Sequence, residues 1–370
     1  MEARPIETPA TAIAAFVGTA PEGPVEYPVG IDFDGWGTDE DAIWGSIQAG
    51  SLRPAQRGFF ENGGRSAFGV RVEDTGFEGV RAGLEALDRV DLVNLVVLPV
   101  ESADDEEGRA MVAEAAAFCE RRRAMLLLDP PASWTSASAV EAAMSQGAEA
   151  AIGTASPNAV LYLPRLRRTD PTQGGAPSLA PAAAAVAGVI ARTDLAQGVW
   201  SAPAGTDADL RGVDGLAFDL TDRQAESLNA LGISTLRTFP GRGPVVWGAR
   251  TLAGVDAAAS EWKYVPVRRM ALLLEESLDR GLRWTRFAPN DEPLWSAVRE
   301  SVGAFLHELH RAGAFHGQGA REAYFVRCDR DTVTQHDLEV GEFTVQVGFA
   351  PMRPAEFIVL QVRARAVPQA

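Results

Sequence analysis

The sequence predicts two fold classes in one chain, an α/β domain on a mostly parallel sheet followed by an α+β domain. Three observations predict this. Short apolar runs alternate with amphipathic stretches from Phe68 to Pro164, two long helices with apolar stripes follow Val267, and the last two runs alternate with period two.

The elements follow in order. Pro5 and Pro9 keep the first residues extended, Ala12 to Val17 is a short apolar strand, and Pro21-Glu-Gly-Pro24 is a turn. Phe68 to Val72 reads as a strand, Phe77 to Leu87 as a helix, and Leu92 to Leu98 as a buried strand stopped by Pro99. A helix from about Ala103 to Arg123 opens on Asp104, Asp105, Glu106 and Glu107 and closes on Arg121, Arg122 and Arg123, so both ends suit its macrodipole. Met125 to Leu128, a helix over Ser138 to Gln146, and a strand at Ala159 to Leu163 complete a parallel sheet with right-handed crossovers.

Thr169 to Ala187 is rich in Pro, Gly and Ala and reads as a link. Beyond it, Phe239-Pro-Gly-Arg-Gly-Pro244 is a loop between apolar runs. Val267 to Arg280 is a helix with Met270, Leu273, Leu274 and Leu278 on one face and Gly281 at its C-terminal cap. Asn290 or Asp291 caps a longer helix with Pro293 in its first turn and a stripe of Leu294, Val298, Val302, Phe305, Leu306 and Leu309. Strands are expected at Glu342 to Phe349 and Glu356 to Val362.

Composition excludes several functions. The 370 residues are 46% hydrophobic and 23% charged, a soluble globular balance with room for two or three domains. The net charge of -16 disfavours a nucleic-acid partner. No apolar run reaches the ~18 residues needed to span a bilayer, so no membrane insertion is expected. Met1 to Pro9 lacks the pattern of a signal peptide, and Cys119 and Cys328 lie too far apart in sequence to signal a disulfide framework, which together point to a reducing cytoplasm. Lys263 is the single lysine, so no P-loop is present, and Schiff-base chemistry has one candidate.

Asp129 ends a buried strand, where open α/β sheets bind ligands, and either is a base or metal carboxylate or starts the turn before Pro130-Pro131. His307 and His310 are three apart on a helix, one residue short of the His-Glu-x-x-His step, and read better as exposed positions beside the stripe. His316 and His336 fall in loops without a relay pattern, and Cys328 reads as a small buried hydrophobe. Gly241-Arg-Gly243 lacks the helix start that a phosphate cradle needs. No catalytic, cofactor or metal residues are nominated.

Six segments carry a more specific signal: Phe239-Pro-Gly-Arg-Gly-Pro-Val-Val-Trp-Gly-Ala-Arg-Thr-Leu252, Glu261-Trp-Lys-Tyr-Val-Pro-Val-Arg-Arg269, Phe287-Ala-Pro-Asn-Asp-Glu-Pro-Leu-Trp295, Ala323-Tyr-Phe-Val-Arg-Cys-Asp329, Thr334-Gln335 and Ala350-Pro-Met-Arg-Pro-Ala-Glu-Phe357. In this order they resemble the contractile tail sheath family. Thr11 to Gly18, Gly198 to Gly205, Leu228 to Ile233 and Asp129-Pro-Pro131 fit as well.

The resemblance implies a subunit that assembles in a bacterial cytoplasm and belongs to a phage tail or contractile injection particle. Copies would stack as six-fold rings around an inner tube, between baseplate and terminator or cap proteins, and contract to drive the tube through an envelope. It implies an N-terminal arm and strand (1–29) completing a C-terminal assembly domain (251–370), with a variable outer α/β domain (30–250) between them. Terminal-strand donation would use Glu356, Phe357, Ile358, Val359, Leu360, Gln361 and Val362, holding neighbours by main-chain hydrogen bonds. Arg268, Arg269, Arg299 and Arg311 are the candidates for facing the tube. No cofactor and no enzymatic activity are implied. Many members open with a Ser-Pro-Gly-Val-Tyr-Val-Glu-Glu-like arm, where this chain has Met1-Glu-Ala-Arg-Pro-Ile-Glu-Thr-Pro9. The competing expectations are an α/β enzyme using Asp129, and a cap or baseplate-adjacent protein that binds a sheath without polymerising.

Overall fold

The structure is a computed structural model that describes residues 2–24, 26–30 (backbone only), 50–98, 105–169, 175, 177–352 and 357–368. Of the positions named above, Met1, Pro99, Ala103, Asp104, Glu356 and the 353–355 part of the last segment lie outside these residues.

The chain divides into two compact units, a larger one of Ala10–Gln197 with Ser201–Arg268 and a smaller one of Met1–Pro9, Gly198–Trp200 and Arg269–Ala370. This differs from the expected boundaries. Residues 250–268 stay with the larger unit because Leu252 N–H donates to the Ala159 carbonyl at 2.9 Å, Ser234 Oγ to the Arg250 carbonyl at 3.0 Å and Arg268 to Asn158 Oδ1 at 2.8 Å.

In the larger unit the elements run β1 (Ala14–Gly18), β2 (Glu26–Gly30), α1 (Leu52–Glu61), β3 (Ser66–Arg71), α2 (Phe77–Leu87), β4 (Leu95–Val97), α3 (Glu106–Arg121), β5 (Met125–Leu128), α4 (Ala137–Ala143), α5 (Ala148–Ile152) and β6 (Ala159–Leu163). Then come β7 (Leu166–Thr169), β8 (Pro177–Ala180), α6 (Ala183–Gln197), β9 (Gly215–Leu216), α7 (Asp222–Ala230), β10 (Ser234–Phe239) and β11 (Gly243–Val246). An eight-stranded sheet has the order β11-β10-β6-β5-β4-β1-β3-β2, and a small sheet has β8-β7-β9. The interior pairings are parallel, while β2 and β11 pair antiparallel at the edges. Every residue of β4, β5 and β6 is buried, as a sheet covered on both faces requires.

Two expectations are corrected here. The N-terminal strand does not complete the C-terminal domain: β1 lies between β3 and β4, pairing Ala14 with Ala67 and with Leu95. Ala14, Ala15, Phe16 and Val17 are all 0% exposed, and such a strand needs cover on both faces. Only the arm before Ala10 belongs to the smaller unit. The second correction concerns the Pro/Gly/Ala-rich stretch, which holds β8 and the start of α6 rather than a link. Alanine is the strongest helix former, and Ala183 to Ala191 is buried all round, so no polar face marks the helix in sequence. Gly188 sits where a Cβ would come within 2.2 Å of the Phe59 carbonyl oxygen, which sets how closely α6 crosses α1.

The smaller unit holds most of α8 (Val265–Gly281), then α9 (Glu292–Arg311), α10 (Ala320–Ala323), β12 (Tyr324–Arg327), α11 (Gln335–Val340), β13 (Glu342–Phe349) and β14 (Ile358–Arg365). Its antiparallel sheet has the order β12-β13-β14. Strand β14 starts two residues later and ends three later than expected, because alternation continues through Arg363 and Arg365. Phe343, Val345, Val347 and Phe349 on β13 are 0% exposed and pair across the inner face with Ala364, Val362, Leu360 and Ile358. Burying each such side chain stabilises the unit by ~1.5–3 kcal/mol.

Candidate assembly interface

Asp129 lines a cavity of about 450 Å³ together with Arg57, Glu61, Arg168 and Asp214, but its carboxylate is engaged in the fold. Its Oδ1 accepts the backbone N–H groups of Ala182 and Ala183 at 2.5 and 3.0 Å, so the carboxylate caps the N-terminus of α6 from a neighbouring strand. Burial raises its pKa to about 6, against the lowering effect of those two N–H groups and of Arg165.

The other titratable candidates are also engaged in structure. His307 Nδ1 lies 3.3 Å from the Tyr324 hydroxyl, and His310 Nε2 lies 3.1 Å from the Gly317 carbonyl, so the two rings serve different partners. Among the described residues no group of three His, Cys, Asp or Glu side chains could hold a metal ion. Cys119 and Cys328 are free and buried, and burial pushes the Cys328 thiol up to about 12 and the Cys119 thiol higher still. Lys263 is held by Asp256, whose carboxyl lies below its usual range because Lys263 and then Arg250 donate to it.

The four arginine candidates separate. Arg269 is 3% exposed. Arg268 donates to Asn158 Oδ1 at 2.8 Å and stacks 4.7 Å from the centre of Trp262. Arg299 donates to the Cys328 carbonyl and to Glu292 Oε1, the latter at 2.6 Å. Of the four, Arg311 keeps the most open guanidinium, 69% exposed beside Glu308 at 3.7 Å.

The expected terminal strand is in place as an edge. Ala366 N–H donates to the Gly341 carbonyl at 2.8 Å, making 341 and 366 a hydrogen-bonded pair in the β13–β14 ladder. Antiparallel pairs alternate, so Val359, Gln361, Arg363 and Arg365 turn their N–H and C=O groups away from β13. The Arg365 carbonyl confirms this phase by accepting from Thr285 Oγ1 at 2.6 Å, and the next outward residue, Val367, donates to the Ala288 carbonyl at 2.9 Å. Residues 359, 361 and 363 form the open part of the edge: among the described residues no other strand pairs with it. Phe357 and Val359 are 42% and 49% exposed, with Phe357 stacked on Phe325 at 6.2 Å. Glu356 lies outside the described residues.

Two family models match in tandem: the phage tail sheath protein central domain over residues 78–252 and the phage tail sheath C-terminal domain over residues 257–365. A putative prophage major tail sheath protein of Pseudomonas aeruginosa is 31% identical over 309 residues, spanning 80% of this chain and 69% of that protein. The chain belongs to the tail sheath protein family.

This sheath subunit is a structural protein of the contractile-sheath class. The tail sheath protein of Vibrio phage KVP40 is 28% identical over 181 residues, 49% of this chain and 26% of the entire phage protein, so the subunit spans about a quarter of that relative's length. A solved structure of the anti-feeding prophage helical sheath in its contracted state superposes with a TM-score of 0.77 and 29% identity, covering 97% of the subunit and 94% of that chain. The mixed architecture, with a mostly parallel sheet and smaller antiparallel sheets, is the fold of a sheath subunit.

The signature segments of the subunit are structural joints. Arg250, Asp256 and Lys263 clasp the 250–264 stretch, and Trp262 takes the Arg268 guanidinium on its face. Asp291 caps α9 by accepting from Leu294 N–H at 3.1 Å, and Asn290 donates to the Glu342 carbonyl at 2.8 Å.

Proposed function

We propose that the subunit polymerises with copies of itself into six-fold rings stacked as a helical sheath around an inner tube, and that contraction of this lattice drives the tube through a target envelope. Baseplate and terminator or cap proteins would close its ends, assembly taking place in a bacterial cytoplasm. The single observation that carries the reading is the open backbone edge at Val359, Gln361 and Arg363 beside a buried inner face. Such an edge accepts a strand from another chain, and main-chain bonds hold neighbours while rigid bodies turn. In the single subunit Ile358 to Val362 pair with β13 and Phe357 leads into them; beside donation of this strand to a neighbour, the proposed lattice contact is addition at the outer edge of β14. Arg311, with its exposed guanidinium, is the proposed tube-facing residue among the four arginines.

The test is Gln361→Pro, which removes one outward N–H and leaves the bonds to β13 in place, a position where an edge strand tolerates proline. The wild-type protein is expected to form rings or tubes by electron microscopy, and the variant to stay folded and monomeric. Unchanged polymers from the variant, or a wild-type chain that is monomeric at every concentration, overturn the proposal. Binding to sheath ends without polymerisation would identify a cap or baseplate-adjacent protein instead.

A further inference from the structure

Next to the open edge of β14 the charge of the molecule reverses. The chain carries 34 basic and 50 acidic residues, yet one cavity of about 250 Å³ is lined by Arg283, Arg286, Arg363 and Arg365, with Asp279 its one carboxylate among the described residues. Arg283 reaches Asp279 at 3.4 Å, and Arg365 reaches Glu342 only at 4.0 Å. Arg286 and Arg363 form no ion pair within 4.0 Å among the described residues, Asp337 being the carboxylate that feels the Arg363 charge, and both side chains are exposed. Phe287, which ends the same short helical turn as Arg286, is 88% exposed.

Four guanidinium groups gather around Asp279, with Glu342 beside Arg365 and Asp337 on the side of Arg363, so positive charge remains in excess, and an exposed aromatic beside them contributes nothing to the core. Both features fit an interface, where arginine and aromatic side chains anchor a partner. The position selects the partner. Arg363 belongs to the open edge through its backbone and to the cavity through its side chain, so a segment paired along residues 359–363 passes the cavity.

We propose that this cavity seats an acidic segment of a second copy of the chain, laid along the outer edge of β14, with Arg286 and Arg363 pairing its carboxylates and Phe287 covering its apolar part. The proposal rests on the reading that copies join at that edge. A neighbour of net charge -16 supplies carboxylates in excess, which makes the fit one of opposite charge. The main-chain bonds then hold the joint, and the cavity makes its formation sensitive to salt.

The experiment measures polymer fraction by sedimentation and electron microscopy for the wild-type chain, Arg286→Gln/Arg363→Gln and Arg286→Lys/Arg363→Lys. Wild-type polymer is expected to fall as NaCl rises from ~50 to ~500 mM, as screening of the exposed charges strengthens. The Gln pair is expected to need about tenfold more protein to polymerise at low salt and to lose most of the salt dependence, with an unchanged melting curve; the Lys pair is expected to recover part of both. A Gln pair with the wild-type threshold and salt curve overturns the proposal, as does a Gln pair that polymerises normally but loses binding to an added tube protein. If the Gln pair polymerises normally and Gln361→Pro does not, only the charged seat falls. If the wild-type chain never polymerises, the edge reading falls and takes the seat with it.

Discussion

The indole N–H of Trp295 donates to Oδ1 of Asn290 at 2.9 Å, and the Asn290 amide passes the connection on to the Glu342 carbonyl at the start of β13. Asn290 is 0% exposed and Trp295 4%, so neither end of this bridge can turn to water for a substitute.

Asn290→Ala strands a buried indole N–H and removes a donor from a backbone carbonyl. Each loss costs ~1–3 kcal/mol, so the substitution is expected to destabilise the smaller unit by ~2–4 kcal/mol in urea unfolding. A change under ~0.5 kcal/mol would show that the bridge contributes nothing to stability.

Asp129 makes stability depend on pH in an unusual direction. Its folded-state pKa of about 6 exceeds the 3.8 of an ordinary aspartate, so the folded protein holds the proton more tightly than the unfolded chain. The relative stabilisation is complete below about pH 4 and is lost as pH rises through about 6, a swing of ~3 kcal/mol. Asp129→Asn keeps an oxygen for the Ala182 and Ala183 N–H groups and removes the charge. The variant is expected to be at least as stable as wild type at pH 7, with a flatter slope between pH 4 and 6. Asp129→Ala loses the cap and is expected to be less stable at every pH, readable by thermal melting.

Gly188→Ala tests the crossing of α1 and α6. The helix gains ~1 kcal/mol of propensity, but the new Cβ would meet backbone, the Phe59 carbonyl oxygen at 2.2 Å, which cannot rotate away. A net loss of ~1–3 kcal/mol in melting of the larger unit is expected, where the same change on an exposed helix face would stabilise.

Arg268→Ala removes the bond to Asn158 and uncovers Trp262. A loss of ~1.5–3 kcal/mol is expected in the larger unit, with a shift in tryptophan fluorescence reporting the exposed ring. If Arg268 acted instead as a tube contact, stability would stay unchanged and tube binding would fall.

Much of the architecture was legible in the sequence. Where one face of an element is buried the periodicity shows it, as in α2 and β13; the wholly buried β5 and β6 show as continuous apolar runs, and the six stripe residues of α9 are all among its nine buried positions. The signature segments marked the family because several specific joints, such as Trp262 with Arg268 and Asn290 with Trp295, need particular side chains in order.

What escaped the sequence had no periodic face or depended on a remote partner. Helix α6 is buried on every side at its N-terminal half, so it reads as an Ala-rich link, although alanine favours helix. Helix α1 carries its signal only in Leu52, Ala55 and Phe59, spaced three and four apart, too few apolar positions to mark a stripe. The basic cavity joins Arg283 and Arg286 to Arg363 and Arg365 across nearly eighty residues of chain, a proximity that composition cannot reveal.

Local chemistry by itself determined the element types, the two fold classes and the membership of a structural family, because helix stripes, strand alternation and joint-forming motifs are written within a few residues. The tertiary structure alone decided that β1 sits inside the large sheet between β3 and β4, that Asp129 caps a helix begun fifty-four residues later, and that the outward phase of β14 is 359, 361 and 363. These depend on which surfaces meet, and a meeting of distant surfaces is fixed by the burial and hydrogen-bond satisfaction of the whole unit rather than by any stretch of it.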